Sequence, residues 1–189
     1  MSRRRLILIR HSQSRPVPGV APSMWGLTDL GRERCALLAN HLRSFDLKKI
    51  NCSRERKAVE TAELAAARLG VPVAVADGVH EHVRTGAPYL SHDAFTAMLQ
   101  RFFAEPEELV FGAETAQDAC RRFTRAAQTL VARQSHGDVA IVTHGTVLSL
   151  FAGANSSWQP YDFWKKLGQP AVIVFDVPSF TLAQATFTV

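Results

Sequence analysis

The feature that most restricts the fold is a pair of short, unbroken apolar runs, each leading directly to a histidine. Leu6, Ile7, Leu8 and Ile9 lead into Arg10 and His11, and residues 139–143 (Val-Ala-Ile-Val-Thr) lead into His144 and Gly145. Runs this short and this continuous read as strands buried on both faces; half-exposed strands would alternate. A strand buried on both faces needs helices on either side of its sheet. The chain is therefore expected to be an α/β protein, a three-layer sandwich with a mostly parallel central sheet flanked by helices. In such sheets ligands bind beyond the carboxyl ends of the strands, and His11 and His144 both stand there.

The remaining sequence divides accordingly. A loop rich in Pro and Gly covers residues 13–26. Thr28 and Asp29 then start a helix in which Cys35, Leu38, Ala39 and Leu42 recur at helical spacing. Residues 47–52 read as a second strand, 54–69 as an alanine-rich helix stopped by Gly70, and 71–76 as a third strand. Residues 78–92 read as an irregular excursion. Helices follow at 94–103 and 116–133, the latter with Ala119, Phe123, Ala127 and Leu130 on one stripe. Gly145 opens another helix, and 172–177 and 182–189 supply the last strands. With 189 residues, no internal repeat and no linker, one domain spanning 1–189 is expected.

Composition removes several classes. No apolar run approaches the roughly 20 residues of a membrane helix. The basic start (Met-Ser-Arg-Arg-Arg) precedes only four apolar residues, where a signal peptide needs about 7–15. A cytoplasmic protein with no membrane partner is expected. Cys35, Cys52 and Cys120 are too few and too far apart for a disulfide framework or a zinc knuckle, and read as buried free thiols. The net charge of +5 is spread over scattered groups such as Arg54, Arg56 and Lys57, Arg121 and Arg122, Lys165 and Lys166, without interleaved aromatics. It suits an anionic phosphate ligand, and no nucleic-acid partner is expected.

Phosphoryl transfer through histidine needs a neutral imidazole to attack phosphorus in line. It needs cations and donors on the other phosphoryl oxygens, and a carboxyl group to protonate the leaving oxygen. Arg10 and His11 lie at one strand end, His144 and Gly145 at another. Arg54, Arg56 and Lys57 follow a further strand at a helix start, where backbone N–H groups and the positive dipole end add to them. Glu81, in the irregular segment, is the candidate acid.

The run Leu8-Ile9-Arg10-His11-Ser12-Gln13-Ser14 resembles the Arg-His-Gly signature of the histidine phosphatase superfamily, the phosphoglycerate-mutase-like proteins. Leu27-Thr28-Asp29-Leu30-Gly31 is similar to its Leu-Thr-x-x-Gly helix start, and residues 53–62 to its Ser-x-x-x-Arg-Ala-x-x-Thr-Ala block. Val142-Thr143-His144-Gly145 is similar to its second histidine motif, and Gly112, Glu114, Thr115 and Arg122 to its Gly-x-Glu-Ser/Thr…Arg segment. The blocks occur in the family's order over nearly the whole chain. The resemblance implies a histidine acid-type phosphatase, a phosphoric monoester hydrolase that works without metal or other cofactor through a phosphohistidine. It makes His11 the nucleophile and Glu81 the proton donor. Arg10, His144 and Lys57, the last where many relatives carry arginine, would hold the phosphoryl oxygens. The partner it implies is a phosphorylated small molecule or a phosphoprotein.

Departures from the pattern sharpen the expectations. Ser12 replaces the usual glycine and is small enough to donate to phosphate. Lys57 offers a point charge in place of a planar fork, and Arg54, three residues earlier, is expected to share its helix face as a second phosphate contact. Val17 stands where mutase-like relatives carry asparagine, which counts against a phosphoglycerate-mutase-type phosphotransferase. A second alternative, a catalytically weak phospho-ligand-binding regulatory protein on the same fold, is motivated by Ser12 and Lys57. Glu114 and Arg122 are expected as a structural pair bracing the pocket floor. His80-Glu81-His82 lacks the His-Glu-x-x-His spacing and a third ligand, so no metal is expected. Cys52 has Ala58, not arginine, six residues on, which excludes a cysteine phosphatase. Trp158, Phe163 and Trp164 read as core packing, or alternatively as a wall of the substrate mouth. Specificity is expected to lie in residues 16–25 and 78–106.

Overall fold

The structure, a computed structural model, describes residues 4–84 and 91–189. Its strands are β1 (Arg5–Arg10), β2 (Leu47–Cys52), β3 (Val73–Val75), β4 (Asp138–Thr143), β5 (Ala171–Asp176) and β6 (Thr181–Thr186). They form one sheet in the order β3-β2-β4-β1-β5-β6. The first four run parallel; β5 lies antiparallel to β1, and β6 antiparallel to β5.

The two apolar runs occupy the centre of this sheet, and residues 6–9 and 139–142 are fully buried. Because strand side chains alternate between faces, Leu6, Leu8, Val139 and Ile141 pack on one side and Ile7, Ile9, Ala140 and Val142 on the other. The first side is covered by α3 (His92–Ala104), α4 (Ala116–Arg133), α5 (Gly145–Ala154) and α6 (Pro160–Lys166). The second is covered by α1 (Asp29–Leu42) and α2 (Arg56–Leu69). The result is the three-layer sandwich that the runs require. Each buried Leu or Ile contributes about 1.5–3 kcal/mol relative to exposure, so the strands that carry the two histidines are firmly held.

Local signals set the helix ends. Thr28 and Thr115 each accept a backbone N–H three residues on, from Gly31 at 2.9 Å and Asp118 at 3.0 Å. Gly70 ends α2 in the left-handed conformation at φ +70°. Gly31 is required for another reason: a Cβ there would lie 2.2 Å from the Gln13 carbonyl oxygen, where α1 crosses the chain leaving β1.

Several expectations are corrected. Helix α2 begins at Arg56 with Glu55 as its cap residue, so Arg54 precedes the helix and does not share a face with Lys57. Helix α6, with Pro160 at its first turn, was not anticipated; proline is pre-shaped for that position. The third strand shrinks to Val73–Val75 at the sheet edge, and the last ends at Thr186. Of the 78–92 excursion, 78–84 is irregular, 85–90 lie outside the described residues, and His92 already belongs to α3. The thiols are free; Cys35 and Cys52 are buried, and Cys120 is only half-buried. No helix among the described residues is long and apolar enough to cross a membrane.

Candidate active site

Register brings the two histidines together. Arg10 pairs with Thr143 across β1 and β4, and the His11 N–H donates to the Thr143 carbonyl at 2.9 Å. The next residues, His11 and His144, leave the sheet side by side with ring centroids 5.1 Å apart. The His11 Nδ1 lies 2.8 Å from the Ser12 carbonyl. That oxygen can only accept, so Nδ1 carries the proton and Nε2 keeps a free lone pair. Burial, followed by the nearby His144, Lys57 and Arg10, pushes the His11 pKa well below its ordinary value. The ring is therefore neutral at physiological pH.

His144 is completely buried, and neither ring nitrogen has a hydrogen-bond partner among the described residues. Arg10 donates to the Leu167 carbonyl, while its buried Nε is unpartnered. Burial is the main cause that pushes its guanidinium down to about 10, so it stays charged at neutral pH. Unpaired buried donors are costly, about 1–3 kcal/mol each, and here they converge beside the His11 ring.

Glu81 reaches the same place from the 78–84 segment. Its Oε2 accepts the Thr146 N–H at 3.1 Å; its Oε1 accepts the Val147 N–H at 3.3 Å and the His82 N–H at 2.9 Å. It thereby caps α5, whose own cap residue, His144, makes no such bond. Burial raises its pKa, but the charge of Arg84, then the interaction with the neighbouring His144 ring, and the backbone N–H groups outweigh burial and hold the carboxyl well below the ordinary range. The segment is braced from behind. Arg122 donates to the carbonyls of Gly78 (2.8 Å), His80 (3.0 Å) and Glu81 (3.3 Å), and to Glu114 at 2.6 Å. Glu114 in turn accepts the Val83 N–H at 2.9 Å. The Glu114–Arg122 pair thus has the bracing role read from the sequence.

Lys57 is buried at the pocket, donating to Glu55 at 2.6 Å and to the Pro22 carbonyl at 2.7 Å. Two expected phosphate contacts stand apart from the buried centre of the site, Ser12 behind the cavity and Arg54 on its outer lining. Ser12 is fully buried with its hydroxyl donating to the Gly31 carbonyl at 2.7 Å and its N–H to Thr61 at 3.0 Å. It ties the β1 end to α1 and α2 and does not line the pocket. Arg54 stands at the rim, largely exposed, paired with Asp77. Two pocket residues escaped the sequence reading. Glu55 pairs with Lys57 in the very block that was singled out. Arg84 lies 3.8 Å from Glu81, donates to the Thr146 hydroxyl at 3.3 Å and covers the Phe95 ring at 4.6 Å.

The cavity around these groups measures about 930 Å³. The 16–25 loop contributes Pro22 and Trp25 to its wall, and Phe95 and Trp164 line it as well. Trp164 is thus a wall residue, whereas Trp158 and Phe163 pack against Phe187 as core. His80 and His82 both line the cavity, and the His82 ring also packs at a tilt against Phe102 at 4.3 Å and edge-on to Phe111 at 4.6 Å. Among the described residues no three His, Cys, Asp or Glu side chains are grouped to hold a metal ion.

Sheet order, layers and the two strand-end histidines together define the class: the chain belongs to the histidine phosphatase superfamily, branch 1, which it matches over residues 6–178. Among individual proteins, the mycobacterial glucosyl-3-phosphoglycerate phosphatase shares the fold with a TM-score of 0.79 at 19% identity, over 100% of both chains. Its complex with inorganic phosphate gives 0.79 at 20% identity, over 98% of each chain. A phosphoserine phosphatase mutant from Entamoeba histolytica, in complex with phosphoserine, gives 0.76 at 17% identity, over 96% of both chains. No curated protein matches by sequence.

Proposed function

We propose that the protein is a metal-independent phosphomonoester hydrolase that acts through a phosphohistidine on His11. The observation that carries this reading is the His11 ring, buried, neutral and held by the Ser12 carbonyl so that Nε2 has a free lone pair. Arg10, Lys57, Arg84 and His144 supply the charge and donors for the phosphoryl oxygens. His11 Nε2 attacks phosphorus as the P–O bond to the leaving group breaks. The leaving oxygen takes a proton from Glu81, and water then attacks the phosphohistidine, returning a proton to Glu81 and releasing phosphate. In the empty pocket Glu81 is a carboxylate. A phosphate dianion set among the same cations raises its pKa, so a fraction of the acid form becomes available once the site is occupied.

The cavity volume falls in the range of small-molecule sites and favours a phosphorylated metabolite over a phosphoprotein. Free thiols suit a reducing compartment such as the cytoplasm. Val17 is absent from the cavity wall, which leaves the mutase reading without a contact of its own. The test is turnover of p-nitrophenyl phosphate in excess EDTA, with trapping of a base-stable, acid-labile phosphoryl group on the chain. Turnover and trapped label are expected. Activity lost to EDTA and restored by zinc or magnesium would overturn the metal-free mechanism. A folded protein that binds phosphate without turnover would favour the regulatory alternative.

A further inference from the structure

Glu55 is a carboxylate inside the pocket for which the phosphoryl chemistry above has no use. It lies at the cap of α2, only 9% exposed, and its two oxygens face different partners. Oε2 accepts from the Lys57 ammonium at 2.6 Å. Oε1 accepts the Glu81 N–H at 3.0 Å and lies 3.4 Å from Nε2 of His144. A negative charge beside a site built for phosphate opposes the ligand unless it serves a purpose. His144 supplies one: it is fully buried with both ring nitrogens unpartnered, and only as an imidazolium can it donate in two directions at once.

We propose that Glu55 is a positioning residue for oxyanion capture, anchoring Lys57 through one oxygen and facing His144 through the other, so that a dianion is bound together with one proton on His144. The proposal rests on the phosphate-site reading above. In the empty pocket His144 is neutral. Burial is the main cause, reinforced by Lys57, Arg84 and His80, and opposed by Glu81. The other groups facing the ring are Glu55 from the start of α2 and His11 from the end of β1. A dianion adds two negative charges to this set and favours the charged ring. One N–H then points to Glu55 and the other to the ligand. His144 takes that first proton ahead of Glu81, because its ordinary pKa lies nearer neutrality and Glu81 is held below its own. Lys57 meanwhile has two of its three N–H bonds committed, to Glu55 and to the Pro22 carbonyl, which fixes the direction of the third.

The experiment is calorimetric titration of the whole protein with tungstate, a dianion that carries no proton at pH 7.5, in two buffers of different ionisation enthalpy. Wild type should take up close to one proton per tungstate bound. Glu55→Gln, checked for folding by thermal melt, should lose most of that uptake and bind about 10–100-fold more weakly, the range for one buried charge-assisted hydrogen bond. Glu55→Asp should recover part of both, and Glu81→Gln should keep the uptake. Unchanged uptake and affinity in Glu55→Gln would overturn the proposal. So would tighter binding, which would make Glu55 an internal competitor, and so would loss of the uptake in Glu81→Gln. If Glu55→Gln does not fold, histidine NMR of wild type decides: a neutral His144 in the tungstate complex overturns the proposal. Binding without proton uptake defeats the Glu55 proposal alone. A wild type that binds no tungstate defeats the phosphate-site reading with it.

Discussion

The strand-end half of the pocket and the 78–84 half are held by different means. His11 and His144 follow paired residues of two central strands, and the His11 N–H extends the ladder by one more bond at 2.9 Å. Their spacing is a property of parallel backbone register. Glu81 and Arg84 lie on a segment without regular structure, which Arg122 grips by three carbonyls and Glu114 by the Val83 N–H. Their placement depends on side chains from elsewhere in the chain, Arg122 on α4 and Glu114 just before it. A ladder loses little when one side chain is changed, because its backbone bonds remain. A segment gripped by one guanidinium loses its shape with that group. The nucleophile should therefore be insensitive to the brace, and the acid sensitive to it.

The largest effect tests the ladder half. His11→Ala should lower turnover of every phosphomonoester by at least about 10⁴-fold, as loss of a covalent nucleophile does, with an unchanged thermal melt because the strand pairing does not involve the imidazole. Near-normal turnover by a folded His11→Ala protein would remove the basis of the comparison.

Glu81→Gln tests the other half alone. Hydrolysis of alkyl phosphates, whose leaving oxygen needs a proton, should fall by about 10²–10⁴-fold, and that of p-nitrophenyl phosphate far less. The pH profile carries the same distinction. His11 has a lowered pKa and stays neutral well below pH 6.5, so aryl ester turnover should not decline through that pH. Glu81 must acquire a proton against a lowered pKa, so the ratio of alkyl to aryl turnover should rise as pH falls. Equal slowing of both esters in Glu81→Gln would show that Glu81 is not the acid.

Lys57 stands between the halves. Lys57→Ala should lower kcat/KM by roughly 10²-fold, in line with loss of one contact to transition-state charge, and it also leaves Glu55 buried without its cation. Arg54→Ala should change kcat/KM much less, because Arg54 is exposed and already paired with Asp77. Kinetics of the two variants side by side check this, and a larger loss in Arg54→Ala would reverse the assignment of the phosphate cation.

The smallest effect is the most specific to the comparison. Arg122 does not itself line the cavity, yet Arg122→Ala should lower alkyl ester turnover by about 10-fold through the misplaced acid, while tungstate affinity at the strand-end half stays within a few-fold. It should also lower stability by about 1–2 kcal/mol, since it leaves the half-buried Glu114 and three carbonyls without their donor; a denaturant melt measures this. Equal losses of acid-dependent and acid-independent turnover would mean that the two halves are not separately held.

Much of this molecule was legible before its structure. Runs of four or five apolar residues are buried on both faces in only one way, so Leu6 to Ile9 and the run before His144 announced the sheet, its layers and the edge where the histidines emerge. Gly70 announced the end of α2, because a left-handed residue is needed there. What the sequence did not determine is where polar side chains find partners across the fold. A hydroxyl at Ser12 has the chemistry to hold phosphate, yet Gly31 and Thr61, brought close by α1 and α2, take its bonds. A guanidinium at Arg54 looks in the sequence like any other beside a phosphate site, yet the cap at Glu55 leaves it outside α2, exposed and paired with Asp77. Glu55 and Arg84 have no spacing pattern of their own; they became pocket residues only when α2, the 78–84 segment and α5 met. Hydrophobic burial has a period that is written along the chain, whereas a hydrogen bond or ion pair between distant residues depends on distances of about 3 Å that only the packed fold supplies.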